Sequence, residues 1–304
     1  VLNLVTFVVM QLAMGITVLI ARYLGEKKEE QIGSIIGGGT VVFAAISLVL
    51  FVVMVGFARP IAVLMQAPEE AVGLTAAYIR ICGAGIFFIV AYNVLSAIFR
   101  GLGDSNSPLL FVFVACIVNI VGDLVLVAGL GMDAMGAALA TVFAQALSVV
   151  FAIVRLVKKG LPFTITGYDF RWNPQCGKFL QIGLPLALQE CLTQGSFLAL
   201  CAFVNRLGLE ASSGYGVACK IVNFAMLIPG ALMQSTSSFV SQNVGAGEQK
   251  RAKKTMFTGI GIGLLVGCFA FVLVFFRGDL LAGIFSADAA VVQRGYESVS
   301  YTHL

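Results

Sequence analysis

Charge is scarce in this chain: Lys, Arg, Asp and Glu make up 11% of its 304 residues, with 19 basic and 15 acidic side chains. A soluble domain carries roughly 25% charged residues, so a water-facing globular surface is excluded. A net charge of +4 also leaves no basic face for a nucleic acid. Histidine occurs once, at His303 beside the C-terminus, which removes His-based triads and metal centres from the body of the chain. The seven cysteines (82, 116, 176, 191, 201, 219 and 268) show no paired ligand spacing. Six of them sit in apolar runs, where they read as small packing residues. The chain has no Gly-x-x-x-x-Gly-Lys-Ser/Thr run to cradle a nucleotide phosphate, so it does not hydrolyse ATP itself. Intramembrane proteolysis fails on the same inspection. Ile120-Val121-Gly122-Asp123 lacks the first glycine of an aspartyl-protease Gly-x-Gly-Asp, and Ala211-Ser212-Ser213-Gly214 lacks that of a serine-protease Gly-x-Ser-Gly. The chain does not read as an enzyme.

What is abundant is apolar. Hydrophobic residues make up 59% of the chain and the mean hydropathy is +0.99. The apolar runs are unbroken over about 20 residues, the length that crosses a bilayer as helix, and do not alternate as barrel strands do. The expected fold class is therefore an all-α polytopic membrane protein. Spans are expected over 1–22, 34–57, 72–99, 108–130, 135–157, 178–205, 211–241 and 255–276, with 287–298 as the start of a ninth. Residues 160–177 form a polar linker, with Pro162, Tyr168, Asp169, Arg171, Trp172 and Pro174. The last six residues, Val299 to Leu304, break the apolar pattern, resemble a translated library adapter, and are set aside as a sequencing scar.

The loops alternate in charge. Thirteen basic residues, from Arg22, Lys27 and Lys28 through Arg155, Lys158 and Lys159 to Lys253 and Lys254, fall on one side, against five on the other (Arg59, Arg80, Arg206, Arg277, Arg294). The positive-inside rule puts the first set in the cytoplasm. That orientation starts the first span outside, which predicts one further helix before residue 1. An internal repeat is also expected. An offset of 220 residues lays Asn3 on Asn223, Gly25 on Gly245 and Ala67 on Ala287 without a gap. Both copies run span, Gly turn, charged segment, span. Repeated halves joined by a linker are a transporter layout.

Ionisable groups at membrane depth are costly and default to function. Three qualify: Asp123, Glu190 and Lys220. Asp123 lies mid-span with Asn119 one helical turn before it on the same face. The pair can exchange a proton or offer oxygen ligands to Na⁺; it can equally be a structural pair gluing helices. Glu190, Thr193, Gln194 and Phe197 share one face of the next half's first span. They line a cavity or make ordinary helix–helix hydrogen bonds. Lys220 reads as a lysine snorkelling to the interface. Pro229 is expected to kink its span.

Several segments in order resemble one family. They are Phe99-Arg100-Gly101-Leu102-Gly103-Asp104-Ser105-Asn106-Ser107-Pro108, then Gly183-Leu184-Pro185, Gly214-Tyr215-Gly216-Val217-Ala218, Ser241-Gln242-Asn243-Val244-Gly245-Ala246-Gly247, and Arg251-Ala252-Lys253-Lys254. Together they resemble the multidrug and toxic compound extrusion (MATE) transporters over residues 1–298. The resemblance implies a two-lobe MATE-like helical bundle of twelve helices, of which this chain holds helices 2 to 9 and the start of 10. Residues 1–159 would be the N-terminal lobe lacking helix 1, 160–177 the cytoplasmic inter-lobe linker, and 178–298 a partial C-terminal lobe.

It further implies an antiporter that expels amphipathic or cationic drugs and toxic compounds across a bacterial or archaeal inner membrane in exchange for H⁺ or Na⁺. Alternating access would be by rocking of the lobes. The family's cation site carries over as Asn119 and Asp123 on helix 5 and Thr141 on helix 6. The helix 1 Asp would lie before residue 1. Some members place a Glu eight residues after the helix 7 Pro; here that position is Thr193, with Glu190 one turn away. No cofactor and no metal beyond a possible Na⁺ at Asp123 and Asn119 are expected. The expected partners are small amphipathic or cationic molecules and the lipid bilayer, with the chain acting as a monomer. Two alternatives stand beside this: a lipid-linked saccharide flippase of the same superfamily, which would want cationic cavity residues where only Lys220 is available, and a non-transporting membrane scaffold.

Overall fold

A computed structural model describes residues 2–65, 69–159, 164–205 and 209–285, and among them every regular element is helical. The apolar runs become α1 (Leu2–Gly25), α2 (Glu30–Gly56), a short α3 (Ala58–Leu64), α4 (Val72–Ala84), α5 (Ile86–Gly101), α6 (Asn106–Asp123), α7 (Asp133–Lys159), α8 (Pro174–Asn205), α9 (Leu209–Gly245) and α10 (Gln249–Phe285). Among the described residues six helices are long and apolar enough to cross a membrane, and α4 with α5, bent by 52° at Gly85, makes a seventh. α8 is long enough at 32 residues but not apolar enough to stand among them. Lys178, Gln181, Gln189, Glu190 and Gln194 dilute its apolar run. The span expected at 287–298 and the segment at 299–304 lie outside the described residues.

Local chemistry sets the helix ends. Asp104 accepts from the Ser107 backbone N–H at 3.0 Å and caps the first turn of α6. Asn173 does the same for α8, accepting from the Gln175 N–H at 2.9 Å. Pro174 follows it at the first helical position, where its missing N–H costs nothing. Lys158 and Lys159 occupy the last turn of α7, where cations suit the exposed carbonyls. α8 and α9 run on through Pro185 and Pro229.

The chain divides into two compact units, one of residues 1–190 with 241–247, the other of 191–240 with 248–304. In the first unit, α1, α2, α4 and α5 share one apolar core that includes Ile16, Ile20, Ile32, Ile35, Phe43, Met54, Ile86 and Val90. At the basic end of that unit a polar chain ties α1, α2 and α8. Lys178 donates to the Tyr23 hydroxyl, Tyr23 donates to Gln175, and Gln175 donates to Gln31, each at 2.9 Å.

The 220-residue offset reappears as geometry. A Cβ at Gly25 would collide with the Gln242 carbonyl oxygen, and one at Gly245 with the Arg22 carbonyl oxygen. Both residues of the first contact map onto those of the second under the offset, so the ends of α1 and α9 cross reciprocally, backbone on backbone. Within each unit the next pair repeats as well. Gly39 faces the Ile16 side chain (a Cβ would stand 2.8 Å from its Cδ1), and Gly259 faces Thr236 (2.5 Å from its Oγ1).

The polar linker is bound to the first unit through its described residues. Asp169 accepts from the Thr166 N–H at 2.8 Å and hydroxyl at 2.9 Å, and from the Ser34 hydroxyl at 2.8 Å. Asn173 donates to the Ser34 carbonyl at 2.8 Å. Gly33 and Gly37 give the linker room: a Cβ there would meet Thr164 O at 2.8 Å and the Asp169 backbone respectively.

Candidate functional site

Asn119 and Asp123 lie on α6 one turn apart, and Thr141 lies on the facing α7. The two helices approach closely because Gly122 carries no side chain. A Cβ there would stand 2.8 Å from the Ala140 Cβ and 3.3 Å from its Cα. That contact brings the residues on either side together. Asn119 Nδ2 donates to Thr141 Oγ1 at 3.4 Å, while the Thr141 hydroxyl donates to the Ala137 carbonyl at 2.9 Å. Thr141 thus spends its proton on its own helix and turns its lone pairs to the site. The structure joins Asn119 to Thr141 and places Asp123 on the next turn of α6.

Asp123 Oδ1 is shut off from solvent and accepts no hydrogen bond among the described residues. A buried carboxylate oxygen left unpaired is costly, so Oδ1 is the open acceptor of this site among the described residues. Tyr78 on α4 lies within electrostatic range of Asp123. This phenol was missed by sequence reasoning: 45 residues separate the two, and only the packing of α4 against α7 brings it near. Directly after Asp123 the backbone leaves the α-helical pattern for a π-helical segment, Leu124–Gly129, with the Leu130 N–H donating five residues back to Val125 O at 3.0 Å. Such wide turns recur at functional sites. The apolar run over 108–130 gave no hint of it, because periodicity sees hydropathy and not hydrogen-bond register.

The oxygen atoms here are one carboxylate, one amide and one hydroxyl. That set suits H⁺ or a hard monovalent cation. Among the described residues no group of three His, Cys, Asp or Glu side chains is placed to hold a metal.

The second set of candidates lies on α8. Glu190 and Gln194 are half-buried, Thr193 is exposed and Phe197 is 42% exposed. The first compact unit ends at Glu190 and the second begins at Cys191. Lys220, on α9, is exposed.

The turn between α5 and α6 is an anchor. Asp104 Oδ2 accepts from Lys159 Nζ and from the Ser107 hydroxyl, both at 2.7 Å, and Arg155 Nε donates to Ser107 Oγ at 2.7 Å. Burial works against ionising Asp104, but the hydrogen bonds from Lys159 and Ser107 outweigh it and hold its carboxyl at about 2. The lock fixes the start of α6 to the end of α7, the two helices that carry the cation-site candidates.

Comparison with known proteins follows the same lines. The family model described as MatE matches residues 1–125 and 185–304. The "Probable multidrug resistance protein YoeA" of Bacillus subtilis is 26% identical over 282 residues, 90% of this chain and 61% of that protein. The "FAD transporter" of Shewanella oneidensis is 24% identical over 306 residues, 95% of this chain and 66% of its own length. A solved outward-facing multidrug resistance transporter of the MATE family matches 99% of this chain and 67% of its own with a TM-score of 0.87 at 22% identity, a likeness that speaks for the fold. The chain thus spans about three fifths to two thirds of the length of these relatives.

Proposed function

Because the chain belongs to the MatE family, whose members are membrane transporters and not enzymes, we propose that its gene's full product exports amphipathic or cationic compounds across the plasma membrane in exchange for H⁺ or Na⁺. Asp123, Asn119 and Thr141 take the coupling ion. The observation that carries this reading is the buried, unaccepted Oδ1 of Asp123 beside the Asn119–Thr141 pair. Ion binding there and substrate binding elsewhere oppose one another by linkage: whatever free energy the ion loses when substrate is bound, the substrate loses when the ion is bound. Drug export is supported by the name of the Bacillus relative, whereas the Shewanella relative's name points to an anionic dinucleotide.

Inside-out vesicles carrying the gene's full natural product test the proposal. A fluorescent cationic dye, or FAD in a parallel series, is supplied outside and its uptake followed under an imposed pH or Na⁺ gradient. Uptake that needs one gradient and disappears in Asp123→Asn is expected. Undiminished uptake in that variant removes Asp123 from the mechanism, and uptake of FAD alone reassigns the substrate. Uptake of neither would favour the flippase reading and leave Asp123 as helix glue.

A further inference from the structure

An apolar groove of about 390 Å³ runs along the first unit between α2 and α7, with its floor on α5. The floor is buried and hydrocarbon (Val90, Val94, Ile98), while the rims are open, with Ala44 exposed on α2 and Ile153 47% exposed on α7. Two hydroxyls line it, and both are already spent. Thr40 donates to the Ile36 carbonyl at 2.8 Å and Ser47 to the Phe43 carbonyl at 2.7 Å, each on its own helix. The groove therefore holds out no hydroxyl proton to a polar guest, and its chemistry fits a hydrocarbon chain.

The two ends of the groove differ. It extends from mid-span to the basic end of the bundle, where linker residues Ile165 and Phe170 close it. The residues around Phe170 are of another kind. Arg171 lies with its guanidinium 4.8 Å from the centroid of the Tyr168 ring, and Tyr168 and Trp172 are 77% and 67% exposed. A cation over one exposed aromatic ring and next in sequence to a second, at the end of a set of spans, is the composition of a membrane interface that meets anionic headgroups.

We propose that this groove binds one anionic phospholipid of the cytoplasmic leaflet, its acyl chain lying on α5 between α2 and α7 and its phosphate beside Arg171. The linker supplies both the apolar lid, Phe170, and the headgroup contact, Arg171. Asp169, bonded to Ser34 and Thr166, holds that strip of linker over the groove.

The test is native mass spectrometry of the delipidated chain in detergent, titrated with phosphatidylglycerol or phosphatidylcholine of identical acyl chains. One phosphatidylglycerol per chain is expected to be retained, in preference to phosphatidylcholine. Ala44→Phe, which fills the groove from its rim, lowers retention about tenfold, the equivalent of losing two buried methylenes. Arg171→Gln lowers the preference for phosphatidylglycerol about fivefold and leaves phosphatidylcholine unchanged. Val49→Phe, on an exposed stretch of α2 outside the groove, changes neither.

Unchanged retention in Ala44→Phe overturns the proposal, as does displacement by inorganic phosphate, which would make the site one for a free anion. A readout that needs no variant uses Trp172, the chain's one tryptophan. Its quenching by phosphatidylglycerol brominated on the acyl chain saturates at one lipid per chain. Quenching that rises without saturation also overturns the proposal.

Discussion

Replacing Gly122 by alanine tests how the cation-site candidates are held. The new Cβ would stand 2.8 Å from the Ala140 Cβ, whereas carbon atoms in contact settle about 3.5–4.0 Å apart. Backbone lies behind both atoms, so α6 and α7 must part by about 0.7–1.2 Å. Overpacking of this kind costs about 1–3 kcal/mol. The Asn119–Thr141 hydrogen bond, already 3.4 Å long, is then stretched to about 4 Å, beyond useful length.

Gly122→Ala is therefore expected to lower the chain's thermal midpoint and to raise the cation concentration that half-saturates gradient-driven uptake in the gene's full product. Ala140→Gly in the same chain removes the facing methyl and leaves only the Cα at 3.3 Å. It should recover most of both losses, with a coupling of about 1–3 kcal/mol between the two sites. If Gly122→Ala melts and transports as the unaltered chain does, the close approach of α6 and α7 does not position the site. If Ala140→Gly fails to rescue it, the damage lies elsewhere.

Asp104, held at about 2, contributes stability that is complete above the ordinary carboxylate range near pH 4 and is lost as pH falls toward 2. Thermal melts over that interval should steepen for the unaltered chain and flatten for Asp104→Asn, at a cost above pH 4 of about 1–2 kcal/mol because the Lys159 side chain is 52% exposed; equal slopes would refute the lock. Gly37→Val should drive the Asp169 backbone off α2 and speed protease cleavage within 164–173, and cleavage at the unaltered rate would refute the docking. Tyr78→Phe keeps the ring and removes the hydroxyl that lies near Asp123; it should raise the cation concentration that half-saturates gradient-driven uptake, and an unmoved value would leave Tyr78 outside the site.

Much of the architecture is legible in the chain itself. Scarce charge and unbroken apolar runs require helices across a bilayer, because no other open structure satisfies its own backbone there. The 220-residue offset predicts paired halves, and the reciprocal Gly25 and Gly245 contacts give that offset a physical form. Asn119 and Asp123 are legible as one face of one helix because the i, i+4 spacing is local. Thr141 is not: only resemblance to a family put it beside them, since nothing in its own span singles it out.

Tertiary structure decided the rest, and in each case because the information is non-local. Asp123 Oδ1 is left unaccepted by the packing around it, and Tyr78 comes within its field through the position of α4. The π-helical turn after Asp123 is a matter of hydrogen-bond register, which hydropathy does not encode. The linker reads as a polar connector in sequence, yet its described part docks on Gly33 and Gly37. The glycine run from Gly33 to Gly39 signals a close approach without naming its partner. Sequence supplies which groups prefer to leave water and which helices they form; which pairs of groups then share a wall depends on contacts between residues far apart along the chain, and only the folded arrangement contains those.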